Sequence, residues 1–248
     1  MTADPSSSPR TSAPRRGLEG ALVKVWGGKD VRLRVLAREE ISETFLRLQM
    51  DLGGLAERDE LYPTYWIRLW FTAPSGKGHQ RGYTLVDPDP AAGTAWIEFY
   101  LHPGTASDWA RAARPGEEID ATVLNGRDPV ADSPAHLLLI GDGASFPALA
   151  DTLRRRPEIP ATVLMERGYP DDEQVLVLPA RESLSVRWLP RDGSVVEAGL
   201  AAASASPEGT TVVVALEGAP TRALSSGLRK RLGFAKDRVH ALAYWKRS

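Results

Sequence analysis

The chain has 248 residues, with 31 Lys and Arg against 32 Asp and Glu for a net charge of -1, 42% hydrophobic and 25% charged residues. That balance fits a globular chain of roughly one to two domains and excludes a broadly basic nucleic-acid binder. Cysteine is absent, which excludes disulfides, thiol nucleophiles and cysteine-held zinc or iron–sulfur centres, so redox chemistry here needs an organic cofactor or a partner. The opening stretch MTADPSSSPRTSAP lacks the apolar run of about 7–15 residues that a secretory signal requires. No run reaches the ~18 apolar residues of a membrane helix. The expectation is a disordered tail over residues 1–16 of a cytoplasmic protein without membrane or nucleic-acid partners.

Short strands come next. ALVKVW (21–26) precedes VRLRVL (31–36), in which Val31, Leu33 and Val35 alternate with Arg32, Arg34 and Leu36. Alternation of period two marks a strand with one buried face. TFLRLQM (44–50) and YWIRLWF (65–71) follow, then a loop, APSGKGHQ (73–80). RGYTLVD (81–87) and TAWIEFYLH (94–102) read as a hairpin. A helix starts near Thr105 or Ser107 and stops at Pro115-Gly116, after which EIDATVL (118–124) resumes strand character. Strands at this spacing predict an antiparallel barrel or sandwich.

From about Pro134 the pattern changes. HLLLIGDG (136–143), ATVLMER (161–167), QVLVLP (174–179), SVRWLP (185–190), TVVVALEG (211–218) and VHALAYW (239–245) are strongly apolar runs. Helices FPALADTLRRR (146–156) and TRALSSGLRKRLGF (221–234) lie between them. Apolar strands alternating with helices indicate a largely parallel sheet covered on both faces. The predicted organisation is a β domain over 17–132 and an α/β domain over 133–248.

Three segments carry candidate chemistry. In LHPGTASDWA a glycine turn enters a helix whose first turn holds Thr105, Ala106 and Ser107. Unpaired N–H groups at such a tip suit a pyrophosphate, although the same residues also make a plain N-cap. In RGYT, Arg81 and Tyr83 share one strand face and Thr84 takes the other. An arginine beside an aromatic suits a planar anion, or simply an exposed strand. Gly141-Asp142-Gly143-Ala144-Ser145-Phe146 follows a strand and opens a helix, the context of a nucleotide phosphate loop, with Phe146 where a Rossmann fingerprint has its third glycine. The four histidines stand apart, and neither a metal-ligand pair nor a G-x-S-x-G elbow occurs.

Taken in order, these segments resemble the siderophore-interacting protein family of flavin-dependent ferric-siderophore reductases. RGYTLV resembles its R-x-Y-T-x-R flavin motif, FYLHPGTASDWA its L-H-G-x-G-P-A-S-x-W-A segment, and IGDGASFPALA its A-G-D-E-T-A-L-P-A-I stretch. ALEGAPTRAL and YWKRS match V-A-G-E-x-x-x-V-R-x-L and Y-W-R-x-G. The resemblance implies a ferredoxin-reductase-like fold: an antiparallel Greek-key β-barrel holding FAD, then an α/β NAD(P)-binding-like domain served by NADPH, NADH or a ferredoxin. It implies that Arg81 pairs with the flavin phosphates, Tyr83 stacks on the ring and Thr84 bonds its reactive edge. Gly104, Thr105, Ala106 and Ser107 would cradle the pyrophosphate with His102 adjoining, and Asp142 and Glu217 would lie near the nicotinamide. Arg68, Arg127 and Lys246 fall on the family's basic positions for an anionic ferric-siderophore. No catalytic residue beyond the flavin, and no resident metal, is implied. Val86 stands in place of the motif's second arginine, Pro103 in place of a glycine, and Gly143 in place of a glutamate. Those departures keep two alternatives open: a relative recruited to a biosynthetic flavin-dependent reaction, redox or not, on another small molecule, or a binding protein without catalysis.

Overall fold

The computed structural model describes residues 29–246 except 74, 124, 125 and 131. The expected tail over 1–16, the strand at 21–26, and the last residues of EIDATVL and YWKRS lie outside the described residues.

Seven strands form one antiparallel sheet: β1 (Lys29–Ser42), β2 (Phe45–Asp51), β3 (Trp66–Thr72), β4 (Gly78–Thr84), β5 (Val86–Asp89), β6 (Thr94–Tyr100) and β7 (Glu118–Val123). Their spatial order is β4-β3-β7-β1-β2-β6-β5. Val31, Leu33 and Val35 point inward as their alternation requires, joined by Leu48, Ile67, Leu69, Phe71, Ile97 and Phe99. Each such buried side chain contributes about 1.5–3 kcal/mol. The sheet's two edges, β4 and β5, are consecutive in the chain and separated only by Leu85. The sheet therefore curls toward itself as a half-barrel, and Thr84 sits where its edges meet. A short helix, α1 (Leu55–Arg58), follows β2, and α2 (Thr105–Ala112) closes one end by setting Trp109 against Phe71 and Phe99 at 5.5 and 6.2 Å.

The second sheet is parallel, with β8 (His136–Asp142), β9 (Ala161–Glu166), β10 (Leu184–Leu189), β11 (Thr210–Glu217) and β12 (Val239–Trp245) in the order β10-β9-β8-β11-β12. Leu137 and Leu139 of β8 face α3 (Phe146–Arg155). Leu138 and Ile140 face α5 (Val195–Ala205) and α6 (Gly218–Lys230) on the other side. Burial on both faces is why these strands read as unbroken apolar runs. The helices α5 and α6 meet through glycine: a Cβ at Gly199 would lie 2.6 Å from Leu224, and one at Gly227 2.7 Å from Leu200.

Three local expectations are corrected, and one helix was not anticipated. QVLVLP is not a strand. The buried Asp172 carboxylate accepts from Gly168 N and Tyr169 N, folding the chain into α4 (Asp172–Val175), and Val177 is 69% exposed. Residues 78–80 of the expected loop belong to β4. The expected hairpin of 81–87 with 94–102 is split, since β4 pairs with β3 and only β5 pairs with β6. The helix α5 had no expectation, because its buried positions include Gly199 and Ala203, which leave little apolar stripe to read.

Candidate cofactor site

The rim of the half-barrel is built on β4. Tyr83 is half-buried, its ring tilted 4.5 Å from Phe99 and edge-on to Phe71 at 6.1 Å. Burial pushes its phenol well above the ordinary value. Because Phe71 and Phe99 also carry Trp109 of α2, Tyr83 stands on the face where that helix docks. Arg81 is exposed and donates to Gln80 O at 2.8 Å. On the opposite face a Cβ at Gly82 would lie 3.3 Å from the Trp66 ring. Thr84 is buried and hydrogen-bonds Tyr244 of the second lobe. Burial pushes Tyr244 up to about 12, and the Thr84 bond opposes that shift.

The turn before α2 is held by Ser107, whose Oγ accepts from His102 N at 3.1 Å. Ser107 and Ala106 are buried, Thr105 is half-buried and His102 is exposed with Nδ1 on Pro103 O at 2.9 Å. Gly104 takes φ 142° as N-cap and brings no capping side chain. The first-turn N–H groups of α2, which have no acceptor inside the helix, are thus left to an external acceptor. Val86 is fully buried opposite Trp96, so the motif's second arginine has no counterpart at this rim.

At the carboxyl edge of the parallel sheet the polar groups are already paired. Connections from β8 lead outward one way through β9 and β10, and the other way through β11 and β12, so β8 and β11 flank the switch point. Open α/β sheets bind ligands in that crevice. Asp142 ends β8 fully buried. It accepts from Trp245 Nε1 at 2.7 Å, Ala144 N at 3.0 Å and Ser145 N at 3.3 Å. Burial raises its carboxyl to about 6, against the pull of the Trp245 bond. Arg191 lies over the Trp245 ring at 5.3 Å and binds Glu166 at 3.1 Å. Glu217 caps α6 through Ala219 N at 2.7 Å. From the first lobe, Tyr100 donates to Asp172 at 2.8 Å, and a Cβ at Gly143 would lie 2.4 Å from its ring.

The basic positions divide. Arg68 lies over Trp66 at 5.2 Å. Arg127 and Trp66 line a cavity of about 230 Å³ between the lobes, together with Tyr62, His240 and Tyr244. Burial lowers the His240 pKa, and the Arg127 charge adds to that. Lys246 is exposed against Gly218, beside Arg222. The sequence reading did not single out Tyr62, His240, Tyr244 or Arg191. For Tyr244 the signal was its place beside Trp245 in YWKRS. Among the described residues no group of three or more His, Asp or Glu is placed to hold a metal, and no helix is long and apolar enough to cross a membrane.

A half-barrel followed by a parallel α/β domain is the ferredoxin-reductase-like class of fold. Residues 63–128 match the siderophore-interacting FAD-binding domain and residues 134–248 the siderophore-interacting protein family. The chain belongs to the siderophore-interacting protein family. It is 33% identical, over 93% of its length, to the mycobactin import ATP-binding/permease protein IrtA of Mycobacterium tuberculosis, and spans 28% of that protein. It is 27% identical to the ferric vibriobactin reductase ViuB of Vibrio cholerae, over 70% of this chain and 67% of ViuB. The siderophore-interacting protein of Acinetobacter baumannii has the same fold at a TM-score of 0.74, with 22% identity over 88% of this chain and 90% of that one.

Proposed function

We propose that this chain holds FAD along the half-barrel rim and reduces a ferric-siderophore chelate. The observation that carries this reading is the Tyr83 ring packed on Phe71 and Phe99, which also carry Trp109 of α2, with Arg81 exposed two residues earlier on the same strand and the α2 tip free of a capping side chain. A flavin dinucleotide has a planar ring and an anionic middle, and these residues fit both. Arg81 would pair with the pyrophosphate, and the N–H groups of Thr105, Ala106 and Ser107 would receive it at the helix tip, with His102 alongside. Gly104 leaves room for that approach. Tyr83 would stack on the ring. Thr84, where the sheet edges and Tyr244 meet, would bond the ring's reactive edge.

Bound there, FAD supplies electrons for the ferric ion, so the chain needs no acid or base of its own. The chain's part is to gather and orient the chelate. The cavity that Tyr244 lines offers Arg127 and the aromatic walls of Tyr62 and Trp66, with Arg68 over the Trp66 ring. Arg68 and Arg127 would draw in an anionic chelate without offering iron a competing ligand, and Lys246 would add to the field. The similarity to ViuB, a ferric vibriobactin reductase, supports this substrate class. The fold class as a whole admits two donors, a nicotinamide nucleotide or a ferredoxin.

The test needs no natural donor. The purified chain is expected to be yellow and to release FAD, identified by mass. With its flavin reduced photochemically under anaerobic conditions, mixing with a ferric tricatecholate should restore the flavin absorbance at least tenfold faster than for free FAD. A chain that takes up no FAD, or reoxidation at the free-flavin rate, overturns the proposal.

A further inference from the structure

We infer that the chain's own Trp245 and Asp142 fill the switch-point crevice of the parallel sheet and refuse it to nicotinamide dinucleotides, so that reducing electrons arrive by a route outside that crevice. This rests on the FAD reading only for what the electrons reach; the crevice itself lies on the α/β lobe.

A dinucleotide needs three things there. It needs free backbone N–H groups after the first strand for its phosphates, open space over the strand ends, and a glycine loop that the chain can approach. The structure withholds all three. The Ala144 and Ser145 N–H groups, which would face a phosphate, are bound to Asp142 Oδ1 at 3.0 and 3.3 Å. The next turn begins with Phe146-Pro147, both buried, and Pro147 has no N–H. An anionic carboxylate thus occupies the place of the anionic ligand, and a phosphate would have to displace it.

The space over the strand ends is covered as well. In the pairing of β11 with β12, Leu216 meets Ala243 and Glu217 meets Trp245, so Tyr244 is extra. Such a bulge re-aims its neighbours. Tyr244 turns to Thr84, while Trp245 crosses the sheet end to put its N–H on Asp142 Oδ2 at 2.7 Å. Arg191 lies over the indole ring at 5.3 Å, 4.0 Å from the same Asp142 oxygen, and is itself bound to Glu166. The glycine loop is the third closure. Tyr100 of the first lobe packs so closely on Gly143 that a Cβ there would lie 2.4 Å from its ring, and its hydroxyl is anchored on Asp172. Two buried carboxylates, Asp142 and Glu166, stand where a dinucleotide would bring negative charge, and the cation beside them is already paired.

The measurement is direct binding of NADPH and NADH, by saturation-transfer NMR and equilibrium dialysis, to the chain with and without FAD. For the unmodified chain the expected Kd lies above 1 mM for both nucleotides, at roughly −4 kcal/mol or weaker. The double variant Trp245→Ala with Asp142→Gly, which frees the loop N–H groups and the space, should bind at least tenfold tighter. Trp245→Phe keeps the fold's cover but loses the indole N–H, and should bind between the two. Micromolar binding by the unmodified chain overturns the inference. So does an equal or weaker Kd in Trp245→Phe and the double variant. Because the FAD-free chain reports on the crevice alone, failure of the flavin proposal leaves this readout standing, and failure of this one leaves flavin uptake untouched.

Discussion

The half-barrel rim and the lobe seam carry motifs of similar strength but spend their polar groups differently. At the rim, Arg81 is exposed, the α2 tip has no capping side chain, and Tyr83 offers a half-buried ring. At the seam, Asp142 is bound to Trp245 and two backbone N–H groups, and Asp172 to Tyr100 and two more. A motif residue is available to a ligand only when its hydrogen-bonding capacity is not already used inside the chain. By that measure the rim keeps hydrogen-bonding groups open to a ligand, and the seam spends its own inside the chain.

The largest expected effect tests the joint. Asp172→Ala would leave the Tyr100 hydroxyl and the Gly168 and Tyr169 N–H groups without their acceptor. Each stranded group costs about 1–3 kcal/mol, so a loss of roughly 3–5 kcal/mol is expected. For a chain of this size that lowers Tm by about 6–20 °C. A drop under about 2 °C by calorimetry would mean that the seam does not hold the lobes together.

A smaller effect comes from a buried carboxylate near the seam. Glu98 on β6 is buried, and among the described residues its Oε2 has no hydrogen-bond partner. Burial pushes its carboxyl from 4.5 up to about 7; Arg154 and Arg47 oppose the shift, and Asp87 and Asp151 reinforce it. The folded chain thus keeps a proton that the unfolded chain has released between these values. Stability must fall as pH rises through that window, by on the order of 2–3 kcal/mol. Glu98→Gln should remove that part of the slope, leaving the smaller contribution of Asp142, which is shifted the same way. Denaturant titrations from pH 4.5 to 7.5 on both chains provide the check, and parallel curves would refute it.

What the sequence made legible follows the same division. Alternation in VRLRVL and unbroken apolarity in HLLLI place their strands correctly because burial on one or two faces leaves a direct compositional trace. The rim motifs were legible for a related reason: Arg81 and Tyr83 are two residues apart on a strand, so their shared face follows from period two. The seam was not legible, because Tyr100 with Asp172 and Asp142 with Trp245 are joined only by tertiary packing, across 72 and 103 residues. QVLVLP misled because its apolar content matches a strand, while one upstream carboxylate, Asp172, bends the chain into a turn. The family resemblance puts Asp142 near the nicotinamide, and pattern alone does not reveal that its carboxylate accepts from Trp245, Ala144 and Ser145.

The smallest effect tests the rim most cleanly. Arg81 is exposed and, among the described residues, its guanidinium bonds its neighbour's carbonyl, so Arg81→Ala should leave Tm within about 1 °C, as for an ordinary surface substitution. If Arg81 pairs with the flavin pyrophosphate, the same change removes a charge-assisted bond of about 1.5–3 kcal/mol and weakens FAD binding by tenfold or more. Arg81→Lys restores the charge but not the forked geometry, and should recover part of that loss. Fluorescence titration of the FAD-free chain reads the binding, and calorimetry reads the fold. A loss of several degrees with unchanged FAD affinity would make Arg81 a structural residue and erase the distinction between rim and seam. Weakened FAD binding at constant Tm is the pattern that only a ligand-facing cation produces, and the matched seam variant, Asp172→Ala, should show the reverse order of effects.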